Sequence, residues 1–505
     1  MTRMSLALTI SLLFAGTAAA FAAPVSDPKP VVAVSSGSPS GSTSLSAAPS
    51  SSSVASSASV AKPLSFSEVT TSVDKHHPLL AAVKQDVVIA EGEKLSAKGG
   101  FDPIWRSRAT WELLGYYSSK RLDTVVTQPL PVLGASVFGG YKLGLGTFAS
   151  YDGKSQTLDL GEIRGGLVLP LYRDSAIDSR RAALFAAELS PKIAEAGVAV
   201  QRLELHRSAA IRYWNWVEAG QVVTVAKELL ALAEDRDAAL GARVLKGDLA
   251  KIEQEDNQRA ILGRKATLIS TERSLAAAAI ELSMFLRDQN GKPRVPSAAE
   301  LPLFAEPKPL VVGTVEEEVK KAIARRPEIL RIEEQKKQVG YEQDLAKNAG
   351  KPALDFQIVA AKDFGSGIPQ LYPTQLEIGL VIDIPLLARG PDGKAAQAAA
   401  KAAKLDYQLT FARDRIGADV RDALSLEETA RARLALARSE LALARKLAAA
   451  ERDAFFLGQS TLLLVNLRET AVAEAAAREI VALADRERAV AVFRAVTGEL
   501  PKVTP

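Results

Sequence analysis

Two stretches decide how this chain is read: HHPLLAAVKQD, His76–Asp86, and RRPEILRIEEQ, Arg325–Gln335. Each sets a proline after a pair of basic residues and follows it with the same apolar spacing. Proline suits the first position of a helix, where its missing N–H is no loss and its fixed φ is already helical. Pro78 and Pro327 lie 249 residues apart (327 − 78), and so do Pro103 and Pro352 (352 − 103). No gap is needed between them: Glu93 falls on Glu342, Ala97 on Ala346 and Lys98 on Lys347, and upstream Glu68 falls on Glu317. Further along, GGLVLPLY (Gly165–Tyr172) resembles IGLVIDIPLL (Ile378–Leu387), and RVLKGDLAKI from Arg243 resembles FFLGQSTLLLVNL from Phe455. The separation is 215 for Pro170 and Pro385 and 211 for Gly247 and Gly458, so the first copy carries 249 − 215 = 34 extra residues before its second strand. The chain reads as two tandem copies of one unit, 64–312 and 313–499, followed by a short tail, 500–505. Each helix-starting proline marks where a short helix ends and a second begins.

The flanks read differently. Residues 1–23 have the form of a signal peptide: Arg3, an apolar run from Leu6 to Phe14, then small residues at Ala18, Ala20 and Ala22. Residues 24–63 are Ser/Ala/Pro-rich and hold too little apolar bulk to offset the entropy of ordering, so they read as a disordered leader. The whole chain is 47% apolar and 24% charged, with a formal net charge of +4 and interspersed signs. That balance does not argue for nucleic acid. The absence of cysteine excludes disulfides, thiolate metal sites and cysteine nucleophiles.

Within each copy, two helices are followed by two strand-like runs and a long helical pair joined by one tight turn. In the first copy Trp105, Ala109, Trp111, Leu113 and Tyr117 alternate with Arg106, Arg108, Thr110 and Glu112. In the second, Leu354, Phe356, Ile358 and Ala360, and then Leu376, Ile378, Leu380, Ile382 and Ile384, form apolar faces opposite polar ones. A half-buried sheet in a soluble protein would give this alternation too, but runs of about 10 residues fit tilted membrane strands, and Trp105, Trp111 and Tyr117 fit an interfacial aromatic girdle. From Gly393 to Leu457 no proline interrupts an Ala/Leu/Arg/Glu-rich run, which as a helix spans roughly 95 Å. Leu434, Leu441, Ala448 and Phe455 recur every seven residues, as do Leu203, Ala210, Val217, Thr224, Ala231 and Ala238, which implies supercoiled seams. Pro191 is expected to kink or break the first long helix. Four strands cannot close a barrel alone, and lipid does not tolerate open edges, so a lipid-facing set requires oligomerisation.

This ordered set is similar to the TolC-type outer membrane efflux proteins over Leu64 to Gly498, carried by HHPLLAA, RRPEIL, GLVIDIPLL and AFFLGQSTLLLVNLRETAVAEA. The resemblance implies a mixed α and β fold: an internally duplicated subunit with four membrane strands and long coiled-coil helix pairs. Three subunits would form a 12-stranded β-barrel continued by an α-helical periplasmic tunnel. It implies a passive duct in the outer membrane of a Gram-negative bacterium, without enzymatic chemistry, cofactor or metal, docking with a periplasmic adaptor and an inner-membrane pump. The family's helix-turn-helix tips, which meet the adaptor, carry a Val-Gly-Leu-x-Thr-like sequence. Leu457, Gly458, Gln459, Ser460 and Thr461 fit it loosely; Val244, Leu245, Lys246 and Gly247 fit it less well.

Past the first tip, Glu253 and Asp256 share one helix face, and three copies would ring the tunnel mouth with carboxylates. The second copy has Leu464 and Leu467 at the equivalent positions, so such a ring comes from the first copy alone. His76 and His77 diverge on a helix and read as helix-end residues; Trp214 and Trp216 read as packing anchors. The extra residues, 118–154, are expected as an extracellular loop with room for a short hairpin. Small-molecule efflux and type I protein secretion both fit this layout, and a pore-less periplasmic coiled-coil scaffold or adaptor is the rival class. The repeated amphipathic strands favour a channel.

Overall fold

The computed structural model describes residues 62–499. The signal peptide, positions 24–61 of the leader and the tail lie outside the described residues. Two short helices open corresponding parts of the chain, and both begin at a reciprocal capping box. In α1 (Phe66–His76) Ser65 caps and Glu68 reaches back; in α5 (Val315–Arg325) Thr314 caps and Glu317 reaches back. Each ends one residue short of the residue that precedes a proline. His77 and Arg326 are extended, with φ −74° and −70°, because the proline ring disfavours helical backbone in its predecessor. Pro78 and Pro327 then start α2 (Pro78–Lys98) and α6 (Pro327–Ala349).

The long helices are α3 (Ser179–Leu245, 67 residues) and α7 (Arg389–Phe456, 68 residues), each roughly 100 Å long. Each turns back into a shorter helix, α4 (Lys251–Ser283) or α8 (Leu462–Val496). α3 packs along α2 and α4, and α7 along α6 and α8; α3 also meets α6 and α8, which joins the two halves. No described helix is long and apolar enough to cross a membrane, which says nothing of a β-barrel.

Two expectations about the helices need correcting. Of the kink or break expected at Pro191, the break does not occur: α3 runs through it as one helix. The turn before the proline is held from outside, where the Gln338 amide on α6 donates to the Ala186 carbonyl at 2.8 Å and contacts Ser190 Oγ at 3.2 Å. The second correction is the seam of α3. Ala210 and Val217 are buried, but Thr224, Ala231 and Ala238 are exposed, and Val223, Leu230, Ala233 and Leu240 take the inner positions. One residue is about 100° around a helix, far more than the roughly 20° per heptad by which a straight helix drifts against a strict seven-residue repeat, so the shift marks a change in the face that α3 packs. In α7 the seam holds at Leu434, Leu441 and Ala448, and Phe455 at its end is half-buried.

The main core lies where α1 meets α3. Trp216, Val217, Val69, Val73 and Leu282 are essentially fully buried there, with Leu64, Leu80 and Tyr213 around them. Trp214 stacks on Phe304, and His77 stacks on Phe285. His206 on α3 contacts Asp74 on α1 at 2.9 Å while Arg202 closes the same carboxylate. Burial pushes the His206 imidazole below its ordinary value, against the opposing pull of Asp74. A smaller core around Ala322, Ile329, Ile416 and Val420 occupies the corresponding place beside α5.

The sheet holds six strands, not four. They are β1 (Ile104–Glu112), β2 (Ser119–Pro129), β3 (Ser136–Gly146), β4 (Glu162–Pro170), β5 (Ala353–Asp363) and β6 (Gln375–Asp383), all antiparallel in chain order. The short hairpin for which the 34 extra residues had room is formed, and it belongs to the sheet rather than to a loop above it. Those residues supply most of β2 and β3, a hairpin set between the strands that flank it.

The two-faced sheet and the helical tips

Side chains alternate across a strand, so the register decides which residues share a face. Trp105 pairs with Val126, Ala109 with Leu122, Tyr141 with Ile163, Leu167 with Ile358, and Ile378 with Ile358 from the other side. These residues form one apolar face across all six strands, and much of it is open: Trp105 is 74% exposed, Leu376 68% and Ile378 65%. Trp105 and Trp111 stand on this face at opposite ends of β1, and the Trp105 indole donates to Thr124 at 2.6 Å. Tyr117 does not belong to this strand. β1 ends at Glu112, and Tyr117 sits in the following loop with its ring edge-on to Tyr116.

The opposite face carries charge. Arg121 bridges Glu112 at 2.9 Å and Asp152 at 2.6 Å, Lys142 faces Glu162 at 3.6 Å, and Arg164 reaches Asp123 at 2.7 Å. Arg106 and Arg108 on β1 and Glu377 and Asp383 on β6 extend this face to both edges of the sheet. The sheet is thus apolar on one side and ionic on the other, with both edges unpaired.

At the other end the long helices turn. Gly247 and Gly458 adopt φ +79° and +75°, the left-handed conformation that glycine enters without Cβ strain. Both close the same motif. The Gly247 N–H donates to Val244 and Asp248 to Arg243; the Gly458 N–H donates to Phe455 and Gln459 to Ala454. Two other tip residues also have local duties, since Ser460 bonds Glu451 and the Thr461 hydroxyl caps α8 at Leu464. The surface left over is apolar: Leu245 is 89% exposed, Phe456 82% and Leu457 73%. Lys246 and Gln459 are also exposed. Glu253 and Asp256 are half-buried on α4, and Asp256 is paired with Arg259 of its own helix at 3.0 Å. The charge of this pair is thus partly neutralised within α4.

Sequence reading missed the joint behind the tips. Glu469 on α8, with its side chain 1% exposed, receives Arg236 from α3, Arg264 from α4 at 3.3 Å and Arg452 from α7 at 3.2 Å. Asn466 accepts from Arg236 at 2.5 Å, and Arg264 also donates to the Leu229 carbonyl at 2.7 Å. One carboxylate therefore ties four helices of both hairpins. Burial pushes the Arg264 guanidinium below its usual value, and Glu469 opposes that shift. The available signal was Glu469 itself, a charged residue at the heptad spacing from Leu462 and four after Val465, inside the buried stripe of α8.

No family model matches the sequence, and no curated protein matches it by sequence. Solved structures do match. The outer-membrane channel OprN superposes with a TM-score of 0.62 at 14% identity, covering 86% of this chain and 90% of that one. The Campylobacter jejuni outer membrane channel CmeC gives 0.59 at 13% identity, over 86% and 85%. The outer membrane protein VceC of Vibrio cholerae gives 0.60 at 14% identity, over 86% and 96%. At these identities the likeness establishes the fold.

Proposed function

We propose that this chain, which has the fold of the TolC-type outer-membrane channels, is the outer-membrane duct of a tripartite export system. Three copies would close the sheet edges into a barrel, and the long helices would form a tunnel on the periplasmic side. The duct would be passive, with small-molecule efflux as the favoured use. The observation that carries the reading is the sheet itself: one exposed apolar face, one ionic face, and strands of 9 to 11 residues. That is the length a tilted strand needs to cross the hydrocarbon. The helices support the same assembly. Leu262 and Ile269 on α4, and Leu436 and Leu443 on α7, are exposed at seven-residue spacing, as seams awaiting a neighbouring subunit are. The repeated element order and the shared positions of Pro78 and Pro327 support an internal duplication.

The tips are the proposed contact with a periplasmic adaptor, and through it an inner-membrane pump. Exposed Leu245, Phe456 and Leu457 around two left-handed glycines offer a narrow apolar surface that a partner would cover. Trp105 and Trp111 are the proposed interfacial anchors of β1.

Cell fractionation tests this reading. The processed chain is expected in outer membranes as a detergent-stable trimer, because six strands with two open edges have no way to close alone. Recovery as a soluble periplasmic monomer would overturn it.

A further inference from the structure

We infer that the β2–β3 hairpin is part of the membrane wall, so that three copies close an eighteen-stranded barrel rather than a twelve-stranded one. The inference rests on the outer-membrane reading above. Its first support is the pairing. β2 pairs with β1 along the whole of that strand, from Ile104↔Thr127 to Glu112↔Ser119, and β3 pairs with β4 from Ser136↔Val168 to Lys142↔Glu162. The hairpin thus separates β1 from β4, and without it their hydrogen-bonding edges would have to find each other anew.

The second support is the alternation. On the apolar face Leu122 and Val126 of β2 and Leu143 of β3 continue the surface laid down by their neighbours. On the ionic face Arg164 of β4 reaches across β3 to Asp123 of β2, passing over Gly140, which has no side chain to block it. A hairpin standing in water above the membrane has no use for a lipid-like face continuous with the strands beside it.

The third support is the turn. Residues 130–135 lie at the helical end and pack against the start of α3; a Cβ at Gly134 would sit 2.3 Å from the Asp174 carbonyl oxygen. The hairpin therefore spans the sheet from its loop end to its helix end. The outer edges then fit each other. β1 leaves the helical end and β6 returns to it, so the β1 edge of one copy meets the β6 edge of the next antiparallel. That seam brings the inward Arg106 and Arg108 toward the inward Glu377 and Asp383.

Strands about 4.8 Å apart and tilted about 40° give a barrel roughly 24 Å across for twelve strands and roughly 36 Å for eighteen. A lumen of that width passes bulkier cargo, so selection by size would fall to the helical tunnel.

Single cysteines in the full-length trimer, in outer membranes, test the inference, and the chain has no native cysteine to add background. Val125→Cys, Thr127→Cys and Phe138→Cys lie on the ionic face; Thr124→Cys, Val126→Cys and Leu143→Cys lie on the apolar face. A membrane-impermeant maleimide is expected to label the first set at least about tenfold faster, because a thiol in hydrocarbon does not ionise. A variant that fails to form trimer is replaced by the next position on the same face. Equal labelling of both sets, whether fast or slow, would overturn the eighteen-stranded wall while leaving the outer-membrane reading standing. Failure of the unmodified chain to form a membrane trimer would overturn both.

Discussion

Replacing Gly458 with valine should abolish export while leaving trimer assembly and membrane insertion intact. Gly458 ends α7 at φ +75°, and a Cβ there meets nothing within 4 Å in its own chain. The cost inside the subunit is therefore the left-handed backbone alone, about 1–2 kcal/mol, which an assembly of this size tolerates. The cost outside is steric. The glycine sits beside Phe456 and Leu457, both largely exposed, and a β-branched side chain would stand on the surface proposed to meet the adaptor. Gly247→Val should act in the same direction and more mildly, because Lys246 and Asp248 already make that tip more polar. The measurements are adaptor cross-linking to purified mutant trimers and export in cells. Normal cross-linking and export would refute the docking role; loss of the trimer would assign Gly458 to folding alone.

The second large effect is expected at Glu469. Alanine there leaves Arg236, Arg264 and Arg452 converging on a site without a counter-charge. Removing one partner of a buried ion pair costs about 3–5 kcal/mol, because the remaining charge is left desolvated. The loss should be local to the joint between the two hairpins. Glu469→Ala should lower the thermal midpoint of the trimer and expose the tip end of α3, α4, α7 and α8 to protease, while the sheet end stays protected. Glu469→Gln keeps the shape and part of the hydrogen bonding, and should fall between wild type and alanine. A Glu469→Ala protein with unchanged melting and unchanged proteolysis would show that the arginines are hydrated and the joint carries no load.

Much of the helical scaffold was legible because local chemistry dictates it. Pro78 and Pro327 force their predecessors into extended backbone, and Ser65 with Glu68 and Thr314 with Glu317 spell capping boxes. Gly247 and Gly458 were legible as turns because a long helix that reverses needs a left-handed residue. β5 and β6 were legible because their alternation is uninterrupted. The hairpin was legible only as an option within a loop, not as two strands of the sheet. β3 carries Gly139, Gly140 and Gly144 where an alternating pattern needs side chains, and a Cβ at Gly140 would sit 2.5 Å from the Thr124 carbonyl oxygen of β2. A pattern reading sees a loop where the sheet requires a gap in its side chains. Glu469 was hidden for another reason: its partners Arg236 and Arg264 lie 233 and 205 residues away, and only the packing of α8 against the first hairpin brings them together. Tyr117 failed at the strand end, where a loop inherits the spacing of the strand before it.

The most direct test of the account is electrical. Trimers purified from outer membranes and added to planar lipid bilayers should insert and give discrete, uniform single-channel conductance steps, because a closed wall with an ionic interior is a water-filled pore. A preparation that contains intact protein but leaves the bilayer silent, and that sediments as a monomer, would contradict the claim that this chain is the subunit of a membrane duct.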